Sequence, residues 1–156
     1  MSHAIRFEVR RLQPADWDDV LRLRRALWPE CAADRHAHEL GEQLAHAETT
    51  AIFVAPRLEG GLGGFLAASL RAEAEGCASS PVGCIEGWYV EPDLRRRGVG
   101  AALVHAAEAW AAAHGCREMA SDCRRDNADS HAAHAALGYR EAAPLAHLVK
   151  RLAAGQ

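Results

Sequence analysis

The segment from Val90 to Leu103, VEPDLRRRGVGAAL, is the feature that most constrains the fold of this chain. It follows the apolar run 82–90, which has the composition of a strand, and it leads into an alanine-rich run. From Gly98 onward the apolar residues have helical spacing, with Val99, Leu103, Ala107 and Trp110 on one side. The segment therefore predicts a strand, a loop rich in arginine and glycine, and a helix in direct succession.

Such a loop has the properties of an anion site. A helix N-terminus presents unpaired N–H groups and a partial positive charge. Gly98 and Gly100 allow a ligand to approach the backbone closely, and Arg95, Arg96 and Arg97 add positive charge at the rim. The pattern favours phosphate binding, although it matches neither a Walker A loop nor the dinucleotide G-x-G-x-x-G motif. The alternative is a strand–helix turn with a solvated basic rim.

The rest of the chain predicts one α/β domain spanning residues 1–156. The predicted order of elements is β-α-α-β-β-β-α-β-α-β-β. The first strand covers 4–12 with Ile5, Phe7 and Val9 on one face, and Asp16 can cap the first helix. The second helix begins at Asp34, and a glycine-rich turn covers 58–64. The apolar stripe of the second helix comprises Ala37, Leu40, Leu44 and Ala47.

Composition limits the possible partners and cofactors. The net charge is −3, whereas proteins that bind nucleic acids usually carry a basic excess, so a cationic small substrate suits the chain better. The sequence has no apolar run long enough to span a membrane and no signal-peptide pattern, which predicts a cytoplasmic protein. Its five cysteines are odd in number and form no C-x-x-C pair, and His36 and His38 lack the usual i, i+4 zinc spacing. We therefore expect reduced thiols and no metal.

The loop and several other segments resemble one known family. RRRGVGAALV is similar to the R/Q-x-x-G-x-G/A signature with which GNAT-superfamily acyltransferases hold the pyrophosphate of acetyl-CoA. Further segments resemble the aminoglycoside 6′-N-acetyltransferases: LWPE at 27–30, SSPVGCIEGWYVEP at 79–92, GCREMASD at 115–122, DN at 126–127 and HAALGY at 134–139. The resemblance implies a GNAT fold, which is a twisted, mixed and mostly antiparallel sheet with helices on both faces and a splayed central strand pair.

The resemblance also implies a set of residues that bind acetyl-CoA. The strand backbone at Trp88, Tyr89 and Val90 would align the thioester, with an amide near Trp88 or Tyr89 facing its oxygen. Asn127 and the following helix would flank the pantetheine arm. The residues implied to surround the pyrophosphate are Arg95, Arg96, Arg97, Gly98, Val99, Gly100 and Ala101.

Four further residues are implied to act on the amine or the thiolate. Glu86 and Asp122 would attract the cationic substrate and orient its amine, and either could take the amine's proton. Trp28 would line the sugar site, and His134 would protonate the leaving thiolate or hydrogen-bond near the sulfur. The alternatives are a solvated strand residue, a helix cap, a core tryptophan and a half-buried helix histidine respectively.

Two departures from the family pattern fall in the substrate pocket. The loop RAEAEGC lacks the aromatic residue expected before C-x-S-S-P. After the LGY turn, Glu141 is followed by Ala142, Ala143 and Pro144 instead of another acidic residue. The pocket is therefore expected to be remodelled. Glu73 and Glu75 are either alternative sources of negative charge or solvated loop residues.

The sequence thus predicts transfer of an acetyl group from acetyl-CoA to the 6′-amine of an aminoglycoside by a homodimeric enzyme. Two alternatives stay open at this point. One is acetylation of another polyamine, an amino acid or a peptide N-terminus. The other is a CoA-binding regulatory domain without turnover.

Overall fold

The order of helices and strands in the protein is the predicted one. The computed structural model describes residues 8–123, 127–141 and 147–153. Within these ranges the elements are β1 (Arg10–Arg11), α1 (Trp17–Leu27), α2 (Ala33–Ala45), β2 (Thr50–Pro56), β3 (Leu62–Arg71), β4 (Val82–Val90), α3 (Val99–Ala113), β5 (Glu118–Asp122), α4 (Ala128–Ala136), β6 (Arg140–Glu141) and β7 (His147–Arg151). Short 3-10 turns at Pro14–Asp16 and Pro92–Leu94 precede α1 and α3.

The strands form one mixed sheet in the order β1-β2-β3-β4-β5-β7-β6. Strand β4 pairs with β5 in parallel, with Gly83–Ile85 opposite Met119–Ser121. The pairs β1–β2, β5–β7 and β6–β7 are antiparallel. The chain divides into two compact units: residues 1–67 with 87–106, and residues 68–86 with 107–156. Strands β3 and β4 and helix α3 each run through both.

The first unit has a core of aliphatic and aromatic side chains. They come from α1, α2, β2 and β3, and the core comprises Val20, Leu21, Leu23, Leu40, Ile52, Val54, Leu62, Phe65 and Ala67. Burial of this apolar surface is the main stabilising contribution in the unit.

Three details of the predicted helices are wrong. The Asp16 side chain does not cap α1; its carboxylate instead accepts hydrogen bonds from the Gln13 N–H at 2.8 Å and from Arg10. Helix α2 begins at Ala33, so Asp34 lies inside its first turn. The buried positions of α2 are His36 and Leu40. The predicted stripe is incomplete, because the helix ends at Ala45, before Ala47, and Leu44 is 43% exposed.

The glycine-rich turn is shorter than predicted. Gly60 and Gly61 have positive φ values of 111° and 77°, which places the turn between β2 and the start of β3. Leu62, Gly63 and Gly64 already belong to β3. A Cβ at position 63 would lie 2.2 Å from Leu94 Cδ1, so a glycine in this strand permits close packing.

Two glycines in β4 also mark close approaches. A Cβ at Gly83 would lie 2.7 Å from the Ala111 Cβ and 2.5 Å from the Met119 sulfur. A Cβ at Gly87 would lie 2.5 Å from the Trp28 ring. These neighbours therefore pack directly on the strand backbone.

Helix α3 confirms the stripe predicted for it. Val99, Leu103, Ala107 and Trp110 are all buried. Gly115 follows the helix with φ 88°, as expected of a glycine at a helix C-terminus. No helix within the described ranges is long and apolar enough to cross a bilayer.

Several sequence predictions concern residues outside the described ranges. Ile5 and Phe7 of the first strand are among them, and within the described part of that strand only Arg10–Arg11 pairs. Asp126 of the DN motif and the residues from Ala142 to Pro144 also lie outside.

In the second unit a buried carboxylate holds the loop that precedes β4. Glu118 is 7% exposed, and its Oε1 accepts hydrogen bonds from the Ala78 N–H at 2.8 Å, the Ser79 N–H at 2.7 Å and the Ser79 hydroxyl. These hydrogen bonds to Ser79 and Ala78 lower the pKa of Glu118 against the opposing effect of burial. The carboxylate thus stabilises the fold in its ionised form.

We expect Glu118→Ala to lower the free energy of unfolding at pH 7 by about 1.5–3 kcal/mol, because it leaves the donors without their charged acceptor. The pKa of Glu118 is lower in the folded protein, so its contribution is full above the unfolded pKa. It disappears as the pH falls through the folded pKa. Urea denaturation of both proteins from pH 7 to pH 3 measures the difference, which should shrink on acidification. A difference independent of pH would contradict this assignment.

Candidate active site

The predicted phosphate loop is anchored at its start by Arg95. Its Nε donates a hydrogen bond to the Val90 carbonyl at 2.9 Å, and its guanidinium lies 5.5 Å from the centre of the Tyr89 ring. Arg96 has φ 63° and Gly98 has φ 89°, so the backbone turns sharply before α3 begins. All residues from Arg95 to Gly98 are exposed. Arg95 was predicted only to add charge at the basic rim of the loop. In the structure it also ties the loop to β4.

An ion-pair network fixes the entry to this loop. Arg22 and Arg57 both bind the Glu91 carboxylate, at 2.9 Å and 3.1 Å, and Arg57 also pairs with Asp93 at 2.7 Å. The Glu91 N–H donates to the Gly63 carbonyl at 2.8 Å. The hydrogen bond from Arg22 is the main cause of the lowered pKa of Glu91. The network holds the 3-10 turn that leads into the loop.

Gly100 and Trp88 are in direct contact at the start of α3. A Cβ at position 100 would lie 3.0 Å from the Trp88 ring, so this glycine provides room for the indole. Val99 is fully buried, whereas Gly100 and Ala101 are half-buried. Gly100 was predicted to let a ligand approach the backbone. In the structure the absence of a side chain at this position also allows the Trp88 ring to pack against α3.

Trp28 lies at the end of α1 in a stack of rings. The His36 ring is stacked at 6.1 Å, the Arg24 guanidinium lies 4.9 Å from the Trp28 ring, and Phe65 meets its edge. The buried His36 Nε2 lies 3.2 Å from the Trp28 carbonyl, and Arg24 pairs with Glu39 at 2.9 Å. Trp28 is thus half-buried against the core and held in one orientation.

In the second unit the two predicted carboxylates line one pocket. Its volume is about 560 Å³. The lining residues come from the ends of β3 and β5, from the middle of β4 and from the loop after β3: Arg71, Glu73, Ala74, Glu75, Cys77, Cys84, Ile85, Glu86, Ala120, Ser121 and Asp122. The structure therefore brings Glu86 and Asp122 together. It also places Glu73 and Glu75 at the same pocket, as the composition of their loop suggested.

Glu86 is not a simple solvated strand residue. Its Oε1 accepts hydrogen bonds from the Ser69 hydroxyl and from Arg71, whose Nη2 lies at 2.6 Å and whose Nε lies at 3.1 Å. Sequence reasoning missed Ser69 and Arg71. Their spacing in ASLR puts both on one face of β3, which is the available signal.

His134 is buried more deeply than a half-buried helix residue, with 2% exposure. Its Nδ1 lies 2.7 Å from the Ser130 carbonyl and must donate to it, so Nε2 accepts from the Ser121 hydroxyl at 2.9 Å. Burial lowers the pKa of His134. His134 therefore reaches the pocket through Ser121, another residue that sequence reasoning missed.

Asn127 has a structural role in the described chain. Its Oδ1 accepts the Ser130 N–H at 3.0 Å, which caps α4. In the same unit, the Tyr139 hydroxyl donates to Glu108 at 2.8 Å, and Lys150 pairs with the same carboxylate at 2.9 Å. Within residues 8–123, 127–141 and 147–153, no three His, Cys, Asp or Glu side chains are grouped to hold a metal ion.

A phosphate-type loop that follows a central strand, within this order of elements, is typical of one class of protein. The acetyltransferase (GNAT) family model matches residues 17–139. The chain belongs to this acetyltransferase family, and its sheet order agrees with the fold of that family.

Similar proteins define a narrower group. Aminoglycoside N(6′)-acetyltransferase type 1 of Stenotrophomonas maltophilia is 45% identical over 85% of this chain and 86% of its own length. The structure of AAC(6′)-Iy with the bisubstrate analog CoA-S-monomethyl-acetylneamine is 37% identical, with a TM-score of 0.84 over 90% of this chain and 95% of that one. The apo structure of aminoglycoside 6′-N-acetyltransferase AAC(6′)-Ig from Acinetobacter haemolyticus is 36% identical, with a TM-score of 0.82 over 88% and 94%.

We predict that His134 remains neutral, as the Nδ1–H tautomer, at pH 6.5, where an ordinary histidine is half protonated. Burial disfavours the imidazolium and Ser121 donates to Nε2. Long-range ¹H–¹⁵N correlation spectra report both the tautomer and the titration midpoint. Ser121→Ala removes the donor to Nε2 and should raise the midpoint relative to the parent protein. A midpoint at or above 6.5 in the parent would exclude the arrangement.

Proposed function

We propose that this protein transfers the acetyl group of acetyl-CoA to the 6′-amine of an aminoglycoside. The relatives of this name are 36–45% identical to the chain, and one similar structure holds an analog that joins CoA to an acetylneamine. The observation that carries the proposal is local. Strand β4 has Glu86 in the acidic pocket and, two residues further on, Trp88 beside the phosphate-type loop.

The donor side fits the residues of the first unit. The first turn of α3 offers free N–H groups and the positive end of its dipole to a pyrophosphate. Gly98 leaves open space on the loop, since no atom lies within 4 Å of a Cβ placed there. The backbone of Trp88, Tyr89 and Val90 aligns the thioester, and an amide of Trp88 or Tyr89 stabilises the developing negative charge on its oxygen.

The acceptor side fits the pocket of the second unit. Four carboxylates line it, namely Glu73, Glu75, Glu86 and Asp122. They attract a polycation and orient the amine, and Glu86 or Asp122 takes its proton directly or through water. The acidic loop residues Glu73 and Glu75 supply charge in a pocket whose loop lacks the aromatic residue of the family pattern. Trp28 is proposed to contact the sugar.

His134 is proposed to orient the Ser121 hydroxyl near the departing sulfur rather than to act as its acid, because Nε2 accepts from that hydroxyl and carries no proton in the neutral tautomer. Both ring nitrogens of His134 are hydrogen-bonded, and Ser121 is the partner that lines the pocket. Asn127 is proposed to flank the pantetheine arm from the start of α4.

We further propose that residues 1–156 act as a single acetyltransferase domain, since the family model spans residues of both units. The family resemblance supports a homodimer, and the sequence favours a cytoplasmic enzyme without nucleic-acid or membrane partners. Light scattering coupled to gel filtration tests the dimer. Release of CoA in the presence of kanamycin or tobramycin tests the reaction itself.

The phosphate loop can be tested with two glycines at opposite ends of α3. Gly98 and Gly115 have φ values of 89° and 88°, and at neither position does any atom lie within 4 Å of an added Cβ. Gly98→Ala and Gly115→Ala should each cost about 1–2 kcal/mol of stability, because alanine is strained at positive φ. Only Gly98→Ala should also weaken acetyl-CoA binding, because its strain reshapes the loop. Calorimetry with acetyl-CoA decides, and equal affinities in both variants would contradict the loop assignment.

The two pocket carboxylates can be tested by removing their charge at constant size. Glu86→Gln and Asp122→Asn should each lower kcat/KM for tobramycin roughly ten- to a hundred-fold, the loss of one charge-assisted hydrogen bond. The affinity for acetyl-CoA should hardly change. The residue that is also the base should lower kcat and flatten the acidic limb of its pH profile, and we expect this of Glu86.

Glu42→Gln, on the exposed face of α2, is the matched control because it removes one negative charge outside the pocket. It should leave all kinetic parameters close to those of the parent. If neither pocket variant changes aminoglycoside kinetics, the proposed acceptor site is wrong even if the loop survives its own test.

A further inference from the structure

Arg71 is an unexpected residue in a pocket for a cationic substrate. Among the described residues that line this pocket it is the one cation, beside four carboxylates. Its guanidinium does not point away from them; Nη2 and Nε both donate to the Oε1 atom of Glu86. In this arrangement the carboxylate proposed to receive the substrate amine already has a cationic partner.

The position of Glu86 does not depend on Arg71 alone. The Ser69 hydroxyl, two residues earlier on β3, donates to the same Oε1 atom. The Ser69 side chain is short, so its hydrogen bond fixes Glu86 close to the β3 backbone. Arg71 is the last residue of β3 and its side chain is 56% exposed, against 29% for Glu86. The two donors therefore differ: Ser69 holds the carboxylate from the strand, whereas Arg71 covers it from the solvent side.

We propose that Arg71 occupies Glu86 in the free enzyme and is displaced by the substrate amine. Resting on the proposed function, this inference adds a displacement step to it. An incoming ammonium must replace the hydrogen bonds from Arg71 while its other charges are drawn to Asp122, Glu73 and Glu75. A polycation gains enough from several carboxylates to do so. A monoamine has only one charge and competes poorly with the tethered guanidinium.

The size of the effect follows from the exposure of the pair. A solvent-exposed ion pair stabilises by up to about 1 kcal/mol, which is a factor of about five in a binding constant. The apparent dissociation constant of a ligand rises as the competent, uncovered state becomes less populated. Arg71→Gln removes the competitor and keeps a polar side chain at the exposed strand end. It should tighten the binding of tobramycin and of a monoamine by the same factor of about five, because both need the uncovered carboxylate.

The experiment measures tobramycin and 6-amino-6-deoxyglucose, a sugar with one amine, by calorimetry and by CoA release. The variants are Arg71→Gln, Arg71→Met, Ser69→Ala and the double variant Arg71→Gln/Glu86→Gln. Arg117→Gln is the charge-matched control, since Arg117 is exposed and outside the pocket. Thermal melts confirm that each variant is folded, and two substitutions at Arg71 guard against a single misfolded one.

We expect both Arg71 variants to tighten tobramycin binding and lower its KM, and the control to change neither. Ser69→Ala should weaken binding, opposite in sign, because it loosens Glu86. The gain from Arg71→Gln should vanish in the Glu86→Gln background, where the contested charge is absent. The ratio of kcat/KM for tobramycin to that for the monoamine should stay nearly constant in the Arg71 variants, because the uncovering step is common to both substrates.

Weaker or unchanged binding in both folded Arg71 variants overturns the proposal, as does a gain that persists without the Glu86 charge. Failure of the proposed function gives a different result: the parent protein would release no CoA with tobramycin. If Arg71→Gln still tightened the binding of tobramycin in that case, the competition at Glu86 would stand and the acetyl-transfer assignment alone would fall.

Discussion

The close packing at the two glycines of β4 is the constraint on which both halves of the proposed site depend. At Gly83 the strand backbone is packed against Ala111 and Met119, and at Gly87 it is packed against the Trp28 ring. A side chain at either position would push these neighbours away from the strand. In the second unit Gly83 thus fixes the part of the strand that carries Glu86, and in the first unit Gly87 fixes the part that carries Trp88.

The same strand separates two opposite electrostatic tasks. Beyond Trp88 the chain reaches Arg95, Arg96 and Arg97 and the N-terminus of α3, all of which favour an anion. Before Trp88, the middle of β4 provides a carboxylate, and the loop after β3 and the end of β5 provide others, all of which favour a cation. A net charge of −3 therefore hides two regions of opposite sign. This division suits an enzyme that binds one anionic and one cationic substrate.

The order of elements could be read from the sequence because it depends on local periodicity. The α3 stripe was predicted correctly, since the apolar spacing of an interior helix is a strong local signal. The α2 stripe was partly wrong because the helix ends at Ala45 and Leu44 is exposed, whereas the buried His36, a polar residue outside the stripe, stacks on Trp28. That contact joins two helices, and no local pattern contains it.

The site shows the same division. Glu86 and Asp122 could be selected by resemblance, and the structure places them at one pocket. The roles of Ser69 and Arg71 could not be read, since a polar residue and a basic residue near a strand end are usually solvated. Their hydrogen bonds to Glu86 connect two different strands, so they are seen only in the folded structure.

Arg71 and Glu118 illustrate why the chemical type of a contact does not define its role. Both take part in charge-assisted hydrogen bonds in the second unit. Glu118 is buried and accepts hydrogen bonds from the backbone N–H groups of Ala78 and Ser79. Breaking these bonds therefore lowers the free energy of unfolding. Arg71 is exposed and can exchange Glu86 for water at little cost. The buried Glu118 is therefore suited to fix a loop, and the exposed Arg71–Glu86 pair is suited to yield to a ligand. This difference in burial is the physical basis for assigning stability to the first and competition with the substrate to the second.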